Sequence, residues 1–443
     1  MCVKNYSPET CQEKRKKNGR GTGNKKLDSP VYIIKFLGKL FPSEGFELMM
    51  HFIGNLYGMV QASRQFWMLL RDYMVDVNKG AFAQLWSDPC VFYKMVDGEL
   101  MIVWTYVDDL GALVVKDTMW HTFYRDISSV FEVEETEVSW FLGMHVEHGE
   151  GWTTMDMTKY INDKLIIYNL QDANHADTPM ALKFAEDKGP PLNQDQLHLY
   201  KSMCAAGIWI QHARPDITQA INHWCGIPHP TIQDLSGIKR VWRYLAGSIN
   251  LKLTFSKENG EWEATNFSSC KSAPNAYCIV QLYGDANLAQ PKSTTAFAAK
   301  VGGGCFISKS KRQQTTALHT YDSEYVAQAY AFMYGMWITM GLWELNPFFG
   351  GKLIQGPMMC NCDNEAVLKI IRESAISSKV KHIPLKLHFV LGVQEDGWIH
   401  VRQVVSANNV SDLQSKPLPP MEHWRMALDQ LGLQLFDKPE CKG

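Results

Sequence analysis

The sequence predicts a chain of mixed α/β and α+β class with more than one domain. Its 443 residues exceed the length that a single hydrophobic core usually supports. Apolar residues make up 46% of the chain, and 14 of its residues are tryptophans, which favours globular folding. Segments with strand-like alternation and segments with helical spacing follow one another in residues 31–180 and again in residues 276–418. A mainly helical stretch, residues 181–255, separates these two bodies and predicts a helical connector.

Both ends of the chain lie outside these bodies. Residues 1–27 contain the basic, glycine-bearing tract EKRKKNGRGTGNKK, which has almost no apolar periodicity. This composition predicts a disordered basic tail. A nucleic-acid-binding or nuclear-import arm is the alternative interpretation, because clustered lysine and arginine also suit that role. Residues 419–443 follow the last strong pattern and are assigned to a C-terminal tail.

The first body opens with a predicted helix, LYGMVQASRQFWMLLRDYM (56–74), whose apolar residues recur at helical spacing. VFYKMV (91–96) then predicts a strand. A hairpin follows, and after it the pattern predicts a helix near residues 117–131. WFLGMHVE (140–147) comes next, and TTMDMTKYINDKLIIYNL predicts a strand that runs into a helix.

Two adjacent aspartates interrupt the strand-forming run LMIVWTYVDDLGALVV (100–115) of this body. A simple hairpin with a solvated turn explains them, because Asp-Asp-Leu-Gly is acceptable turn chemistry. A metal site is the alternative, because carboxylates on a rigid hairpin between apolar walls suit Mg²⁺ in phosphoryl transfer. Successive side chains on a strand point to opposite faces, so we expect Asp108 to be the primary ligand and Asp109 the weaker partner.

The second body carries four acidic residues at the ends of its predicted elements. AYCIVQLYGDA predicts a strand that ends at Asp285, and TAFAAKVGGG and CFISKSK predict two further strands joined by a glycine turn. A long helix begins near Glu324, and LIQGPMMCNCDN predicts a strand that ends at Asp363. Asp412 stands in the helix start NNVSDLQSK.

These four acids together predict a metal site. If the strands that carry Asp285 and Asp363 lie side by side, their carboxylates meet at one edge of the sheet and the two helices supply the others. Four carboxylates around two Mg²⁺ ions can activate a water and stabilise the leaving oxygen in phosphodiester cleavage. Each acid taken alone is more often an ordinary helix cap or strand-end charge, so the combination carries the prediction.

Charge, cysteine and hydropathy patterns exclude some classes of protein. The formal net charge of −2 gives no overall basic signature for nucleic acid, so any such surface must be local. The 11 cysteines are scattered, and their spacing predicts reduced thiols in an intracellular chain. There is no run of about 18 apolar residues and no signal peptide. We therefore expect no membrane partner and a cytoplasmic or nuclear location.

The order of motifs closely resembles the reverse transcriptase and ribonuclease H region of a copia-type LTR retrotransposon Pol polyprotein. The resemblance covers about residues 42–418. The motifs that resemble the polymerase and its connector are LYGMVQASRQFW, SDPCVFYK, WTYVDDLGALVV, WFLGMHVE, ARPDITQAIN and KRVWRYLAGS. Those that resemble the ribonuclease H are YGDANLA, STTAFAAKVGGGCFISKSKRQQTTALHTYDSEYVA, CDNEAVLKI, KHIPLKLHF and NVSDLQSKPL.

The resemblance implies a partial polymerase palm and thumb, a helical connector and a ribonuclease H-like mixed sheet with flanking helices. It implies that Mg²⁺, or Mn²⁺, is the cofactor and that RNA, RNA–DNA hybrid and DNA are the partners. Within TYDSEYVA, Glu324 aligns with the family's acid better than Asp322 does. The residues that the resemblance places in the polymerase site are Asp108 and Asp109 as metal ligands, with Gln61 and Arg64 near template and nucleotide. Those that it places as ribonuclease H metal ligands are Asp285, Glu324, Asp363 and Asp412.

One departure from the family affects the polymerase. The family has a third carboxylate on a strand before the segment that matches Pro42-Ser-Glu-Gly-Phe46, and the preceding residues DSPVYIIKFLGKLF lack it. Asp28 is the nearest acid, and it precedes the strand. We therefore expect a 5′-truncated element whose polymerase site is incomplete and whose nuclease is retained. The alternative is a catalytically inactive, nucleic-acid-binding remnant of a transposable element.

Overall fold

A computed structural model describes residues 2–3, 62–135, 139–183, 189–260, 278–288, 292–314, 316–317, 319–354, 356–373 and 384–435. The chain divides into two compact units, Met1–Val138 and Ser139–Gly443. The finer domain boundaries of the sequence analysis stay predictions. Apart from its second and third residues, the predicted basic tail lies outside the described residues. In the part of the chain described, no helix has the length and apolar character needed to cross a membrane.

The N-terminal unit is an antiparallel sheet with two helices. The sheet order is β2-β3-β4-β5-β1-β6. Its strands are β1 (Cys2–Val3), β2 (Ala83–Gln84), β3 (Val91–Val96), β4 (Glu99–Tyr106), β5 (Asp109–Leu113) and β6 (Val133–Glu134), and its helices are α1 (Ala62–Val75) and α2 (Asp117–Ser128). Residues of both helices, such as Leu70 and Phe123, are buried against apolar side chains of β3 and β4. This packing places the β4–β5 hairpin on a buried support.

Two hairpin turns of this unit have different backbone chemistry. Asp97 and Gly98 join β3 to β4 with φ angles of 51° and 82°, as expected for an Asp-Gly turn between strands. Tyr106 pairs with Asp109 across the β4–β5 hairpin, so Val107 and Asp108 form its turn. Val107 has φ of 55°, a left-handed conformation that is rare for a β-branched residue. The hairpin predicted around the two aspartates is therefore present, with local backbone strain.

The C-terminal unit begins with a second sheet and a group of helices. Its strand order is β16-β10-β9-β8-β7. The elements in chain order are β7 (Trp140–Phe141), β8 (Met144–Gly149), β9 (Trp152–Asp156), α3 (Thr158–Ile167), α4 (Gln194–Ile210), α5 (Thr218–Cys225), α6 (Ile232–Gly247) and β10 (Leu251–Ser256), with a short 3₁₀ turn at Pro215–Ile217. The apolar faces of the four helices form one core around the fully buried Trp242 and Tyr244. The mainly helical character predicted for the connector is confirmed.

A third sheet follows, with order β13-β12-β11-β14-β15. Its first three strands pair antiparallel, whereas β14 lies parallel to both β11 and β15. The elements are β11 (Gln281–Asn287), β12 (Thr294–Val301), β13 (Gly304–Arg312), α7 (Thr320–Leu345), β14 (Met358–Cys362), α8 (Glu365–Glu373), α9 (Pro384–Glu395) and β15 (Ile399–Gln403). The mixed sheet with flanking helices that the sequence predicts is thereby confirmed.

Two predicted boundaries near the acids differ from the structure. The strand predicted to end at Asp285 continues to Asn287, because β12 pairs with it over this whole length. The helix predicted to begin near Glu324 begins four residues earlier, at Thr320. His319 and Asp322 form a capping box there, and the backbone N–H of His319 donates to Asp322 Oδ2 at 3.0 Å. Asp322 thus has a structural role at the helix start.

Residues 420–435, which the sequence analysis assigns to a C-terminal tail, form regular structure. They follow α10 (Asp412–Ser415) and comprise α11 (Pro420–Arg425), a π-helical turn (Met426–Gln430) and β16 (Leu433–Leu435). The strand β16 pairs antiparallel with β10. Met426 and Leu433 are fully buried, so this segment belongs to a core. The short, proline-flanked pattern gave no such indication in the sequence.

A buried polar network ties this segment to the connector. The Arg214 guanidinium donates to both carboxylate oxygens of Asp216, at 3.0 and 2.7 Å. Tyr244 donates to Asp216 Oδ2 at 2.6 Å, and its oxygen lies 2.9 Å from His423 Nε2. Burial lowers the pKa of His423 to about 4, so the neutral ring donates through Nε2. A pair of full charges is thus held inside this unit by hydrogen bonds.

Candidate active site

Asp285 lies in the central strand of the third sheet. It sits in β11 opposite Ala296 of β12 and is 8% exposed. The residue before it, Gly284, contacts α7 closely, because a Cβ atom there would lie 2.8 Å from the side chain of Gln328. Gln328 Nε2 donates to the Gly284 carbonyl at 3.0 Å. A glycine at this position therefore lets the helix approach the strand that carries the first acid.

Glu324 and Asp363 come together from two further elements. Glu324 is the fifth residue of α7, and Asp363 directly follows β14. Ligand atoms of these two carboxylates and of Cys362 all lie within 4.8 Å of one another. Glu324 is 8% exposed, and within the described residues its Oε2 atom has no hydrogen-bond partner. A buried carboxylate oxygen without a donor is an open position for a cation.

Asp412 completes the group from the start of α10. It is 4% exposed and pairs with Lys416 one helical turn later, with Nζ and Oδ2 2.9 Å apart. Asn409 precedes it by three residues and donates through Nδ2 to Asp363 Oδ1 at 3.0 Å. The segment that carries Asp412 thus also orients the Asp363 carboxylate, through Asn409.

The electrostatics of the four acids reflect their closeness. The pKa of Glu324 is raised to about 7, mainly because the residue is buried. A hydrogen bond from Asn364 lowers this pKa, and the charges of the other three acids raise it further. Burial likewise raises the pKa of Asp412 to about 7, with Asp285 as the next cause. Carboxylates that repel one another in this way would be stabilised by a cation between them. We refer to Asp285, Glu324, Asp363 and Asp412 as the acid cluster.

The residues of the acid cluster fit Mg²⁺ or Mn²⁺. Both ions prefer oxygen ligands, and the cluster offers carboxylates from four elements, one of them with an oxygen that lacks a donor. Cys362 is the one soft ligand nearby. Burial raises the pKa of its thiol to about 12, so it stays protonated and contributes no thiolate.

The two aspartates of the N-terminal unit are in a different setting. Asp108 lies in the β4–β5 turn and Asp109 begins β5, and both are half-buried. In the chain as described, no group of three metal-ligating side chains includes either of them. Arg64 is exposed in the first turn of α1, whereas Gln61 and Asp28 lie outside the described residues. The polymerase roles of these residues stay predictions.

Several polar residues that support the acid cluster were not singled out from the sequence. They are Gln313, Gln328, Asn364, Asn409 and Lys416. The Asp412–Lys416 pair could have been found, because four-residue spacing places both on one face of a helix. Asn364 directly follows Asp363 in the chain, so the sequence could also have indicated it. The two glutamines act through contacts distant in sequence, at Gly284 and Ser323, so spacing gave no signal for them.

Comparison with known proteins finds a match in the first half of the chain. Residues 24–182 are similar to the family described as reverse transcriptase (RNA-dependent DNA polymerase). The chain is also 26% identical over 371 residues to the retrovirus-related Pol polyprotein from transposon RE1 of Arabidopsis thaliana, and 25% identical over 382 residues to that from transposon TNT 1-94 of Nicotiana tabacum. Each alignment covers 82% of this chain, and the resemblance to retrotransposon Pol polyproteins is thereby confirmed.

The chain spans about a quarter of the length of these polyproteins, covering 24% and 27% of them. Among solved structures, a foamy viral protease-reverse transcriptase in complex with double-stranded DNA matches 82% of this chain and 50% of its own, with 11% identity and a TM-score of 0.40. The LC11 ribonuclease H1 in complex with an RNA/DNA hybrid matches 29% of this chain and 88% of its own, with 12% identity and a TM-score of 0.21.

Proposed function

We propose that this reverse transcriptase relative cleaves the RNA strand of RNA–DNA hybrids through the acid cluster, using Mg²⁺ or Mn²⁺. The observation that carries the proposal is that Glu324 and Asp363 have ligand atoms within 4.8 Å of each other, while Asp285 and Asp412 are close enough for their charges to raise the pKa of Glu324. An ordinary set of helix caps and strand ends would leave these acids apart. The low exposure of Asp285, Glu324 and Asp412 and the raised pKa values of Glu324 and Asp412 instead support one shared site.

In this proposal each acid has a defined task. Asp285, Glu324, Asp363 and Asp412 would hold the divalent ions, whose chemistry would be to activate a water and to stabilise the leaving oxygen. Asn409 keeps the Asp363 carboxylate turned into the site through its hydrogen bond. Lys416 balances the charge of Asp412 while half-exposed, and it can release this carboxylate to a stronger cation. The buried walls limit water and so strengthen these interactions.

For the N-terminal unit we propose an RNA-directed DNA polymerase site that is incomplete. Asp108 and Asp109 are its metal ligands in this view, with Gln61 and Arg64 near template and nucleotide. Two neighbouring hairpin acids cannot by themselves fix two metal ions, because ligands from another strand are needed. Primer extension by this chain is therefore expected at background level, and clear templated synthesis would contradict the expectation.

The test uses the purified full chain with Mg²⁺ and an RNA–DNA hybrid labelled on the RNA strand. We expect cleavage of the RNA in the hybrid, none of duplex DNA, and loss of cleavage in Asp363→Asn. Cleavage that persists unchanged in this variant would reject the acid cluster as the site. Hybrid binding without cleavage under any divalent ion would instead favour the alternative, an inactive nucleic-acid-binding remnant of a transposable element.

A further inference from the structure

A groove runs between α7 and the edge strand β13 of the third sheet. Its cavity volume is about 100 Å³, and it is partly open to solvent. Its lining includes three cations and three aromatic rings, namely Lys309, Lys311, Arg312, Phe297, Tyr330 and Tyr334. We call this feature the α7/β13 groove. Among the residues that the structure describes, no acidic side chain lines it.

The cations give this groove a positive potential that contrasts with the net charge of the chain, −2. Within the described residues, none of Lys309, Lys311 and Arg312 forms an ion pair or a side-chain hydrogen bond. Their charge also affects the pKa of two nearby histidines of the connector, His212 and His223. Burial lowers the pKa of His212 and of His223, and the charges of Lys309 and Arg312 lower them further. An anionic ligand would relieve this unbalanced charge.

Aromatic rings lie beside the cations. The half-buried Tyr334 ring lies at the wall of the groove and rests on the buried ring of Phe297, with the two centroids 5.0 Å apart. Farther along the same strand and the same side of α7, Phe306 and Trp337 are 50% and 41% exposed, with centroids 6.5 Å apart. Cations next to exposed rings are the combination with which proteins bind single-stranded nucleic acid, because phosphates contact the cations and bases stack on the rings.

We propose that the α7/β13 groove binds a single strand of nucleic acid outside the acid cluster. Tyr330 and Tyr334 recur at four-residue spacing after Val326, which lies two residues beyond Glu324. Two residues correspond to about 200° around a helix, so the groove and the acid cluster lie on different sides of α7. The groove therefore holds a strand that is not being cut. Its rings favour nucleic acid over an acidic peptide, which has no bases to stack.

The first test measures binding of a fluorescent oligonucleotide of about 15 deoxythymidines to the full chain by anisotropy, with EDTA present so that cleavage cannot contribute. In Lys309→Gln/Lys311→Gln/Arg312→Gln we expect Kd to rise at least about tenfold and the slope of log Kd against log salt to fall by about two. The matched control, Lys201→Gln/Lys352→Gln/Lys369→Gln, removes the same charge from exposed sites elsewhere in the C-terminal unit. Equal Kd values in the two triple variants would overturn the proposal.

A second variant separates stacking from charge. In Phe306→Ala/Trp337→Ala we expect Kd to rise about tenfold with an unchanged salt slope, because no phosphate contact is lost. An iodouracil-bearing oligonucleotide should also cross-link to a peptide of the groove. If polyglutamate competes as well as the oligonucleotide, the groove is an acidic-peptide site and the assignment is wrong. Because binding is measured without metal, failure of hybrid cleavage leaves this test intact.

Discussion

The two acidic sites of the chain are built in opposite ways. In the N-terminal unit, Asp108 and Asp109 are neighbours on one hairpin, half-buried and next to a strained turn. In the C-terminal unit, the acid cluster draws one carboxylate from each of four elements, and three of these carboxylates are less than 9% exposed. The two acids that are adjacent in sequence are thus the more exposed ones, whereas the four acids that are far apart in sequence form the more buried site.

The difference has a geometric cause. Adjacent residues of a strand point to opposite faces, so a hairpin alone can direct only one of two neighbouring acids into a shared site. A sheet with parallel strands places strand ends at one edge, where helices can add further ligands. In the third sheet β11 and β14 are parallel neighbours; Asp363, which follows β14, meets Glu324 from α7 there, and the charge of Asp285 in β11 acts on Glu324. Such a site depends on the whole fold for its geometry.

The largest expected effect separates the two sites by activity. Asp285→Asn should reduce the rate of hybrid cleavage at least about a hundredfold, the range found when one preorganised charge-stabilising group is removed. Asp108→Asn should leave the rate unchanged, because this residue lies in the other unit. Rates are measured under single-turnover conditions, with circular dichroism as the check on folding. A loss of cleavage in Asp108→Asn would show that the two sites are not independent.

A smaller effect on cleavage should come from the support of the acid cluster. Gln313 Nε2 donates to Thr295 Oγ1 at 3.0 Å and to the Ser323 carbonyl at 2.9 Å, one residue before Glu324. Gln313 is therefore a positioning residue, and Gln313→Ala should weaken apparent Mg²⁺ affinity and cleavage about tenfold, as loss of an outer hydrogen bond does. The Mg²⁺ concentration that gives half-maximal rate is the measurement.

Two controls sharpen this prediction. Gln233→Ala removes an exposed glutamine of α6 and should leave the Mg²⁺ dependence unchanged. Saturating Mg²⁺ should restore most of the rate of Gln313→Ala, because the ligands themselves are intact. A rate that stays low at saturating Mg²⁺, with an unchanged half-maximal concentration, would mean that Gln313 acts on the fold and not on the position of Glu324.

The third prediction concerns stability and pH without metal. The pKa of Glu324 is raised from 4.5 to about 7 on folding, so the folded state binds more protons between these values and loses stability as pH rises through them. Glu324→Gln should therefore be more stable than the wild type at pH 8, by about 1–3 kcal/mol, and nearly equal to it at pH 4. Urea unfolding in EDTA at both pH values measures this. A variant that is less stable at pH 8 would contradict the cause given for the pKa shift.

Most of the architecture could be predicted from the sequence, because alternation and helical spacing mark elements directly. The strand VFYKMV was predicted at its observed bounds, 91–96, and the glycine turn between β12 and β13 was also predicted. The start of α7 was placed late because its first turn is polar, and His319 and Asp322 cap it. The C-terminal strand β16 was missed, since its partner β10 lies about 180 residues earlier and such a pairing leaves no local pattern.

The acid cluster could be predicted as a set, whereas its supports could not. Resemblance named the four acids, but which polar groups orient them depends on contacts such as that between Asn409 and Asp363. The cations of the connector make the same point. Lys239, Arg240 and Arg243 are close in the sequence of α6, but Arg240 donates to the Thr178 carbonyl and Arg243 donates to the Asn174 carbonyl. Spacing predicts a shared face, and only packing decides what that face contacts.

The smallest expected effect tests the strain at the hairpin site. Among the described residues, the last non-glycine residue with positive φ is Asn169, so no strain of this kind accompanies the acid cluster. Val107, by contrast, has φ of 55° next to Asp108 and is 46% exposed. Val107→Gly should stabilise the N-terminal unit by about 0.5–1 kcal/mol, because relief of left-handed strain exceeds the entropy cost of glycine. Thermal unfolding measures the change, and a destabilised variant would contradict it.

The neighbouring hairpin supplies the matched control. Gly98 has φ of 82°, and a Cβ atom there would meet nothing within 4 Å, so Gly98→Ala adds conformational strain without a steric clash. We expect this substitution to destabilise the same unit by about 1 kcal/mol. If Val107→Gly stabilises the unit and Gly98→Ala destabilises it, the backbone strain lies in the turn that carries Asp108. If both substitutions change the stability in the same direction, packing, and not backbone conformation, sets the stability of both hairpins.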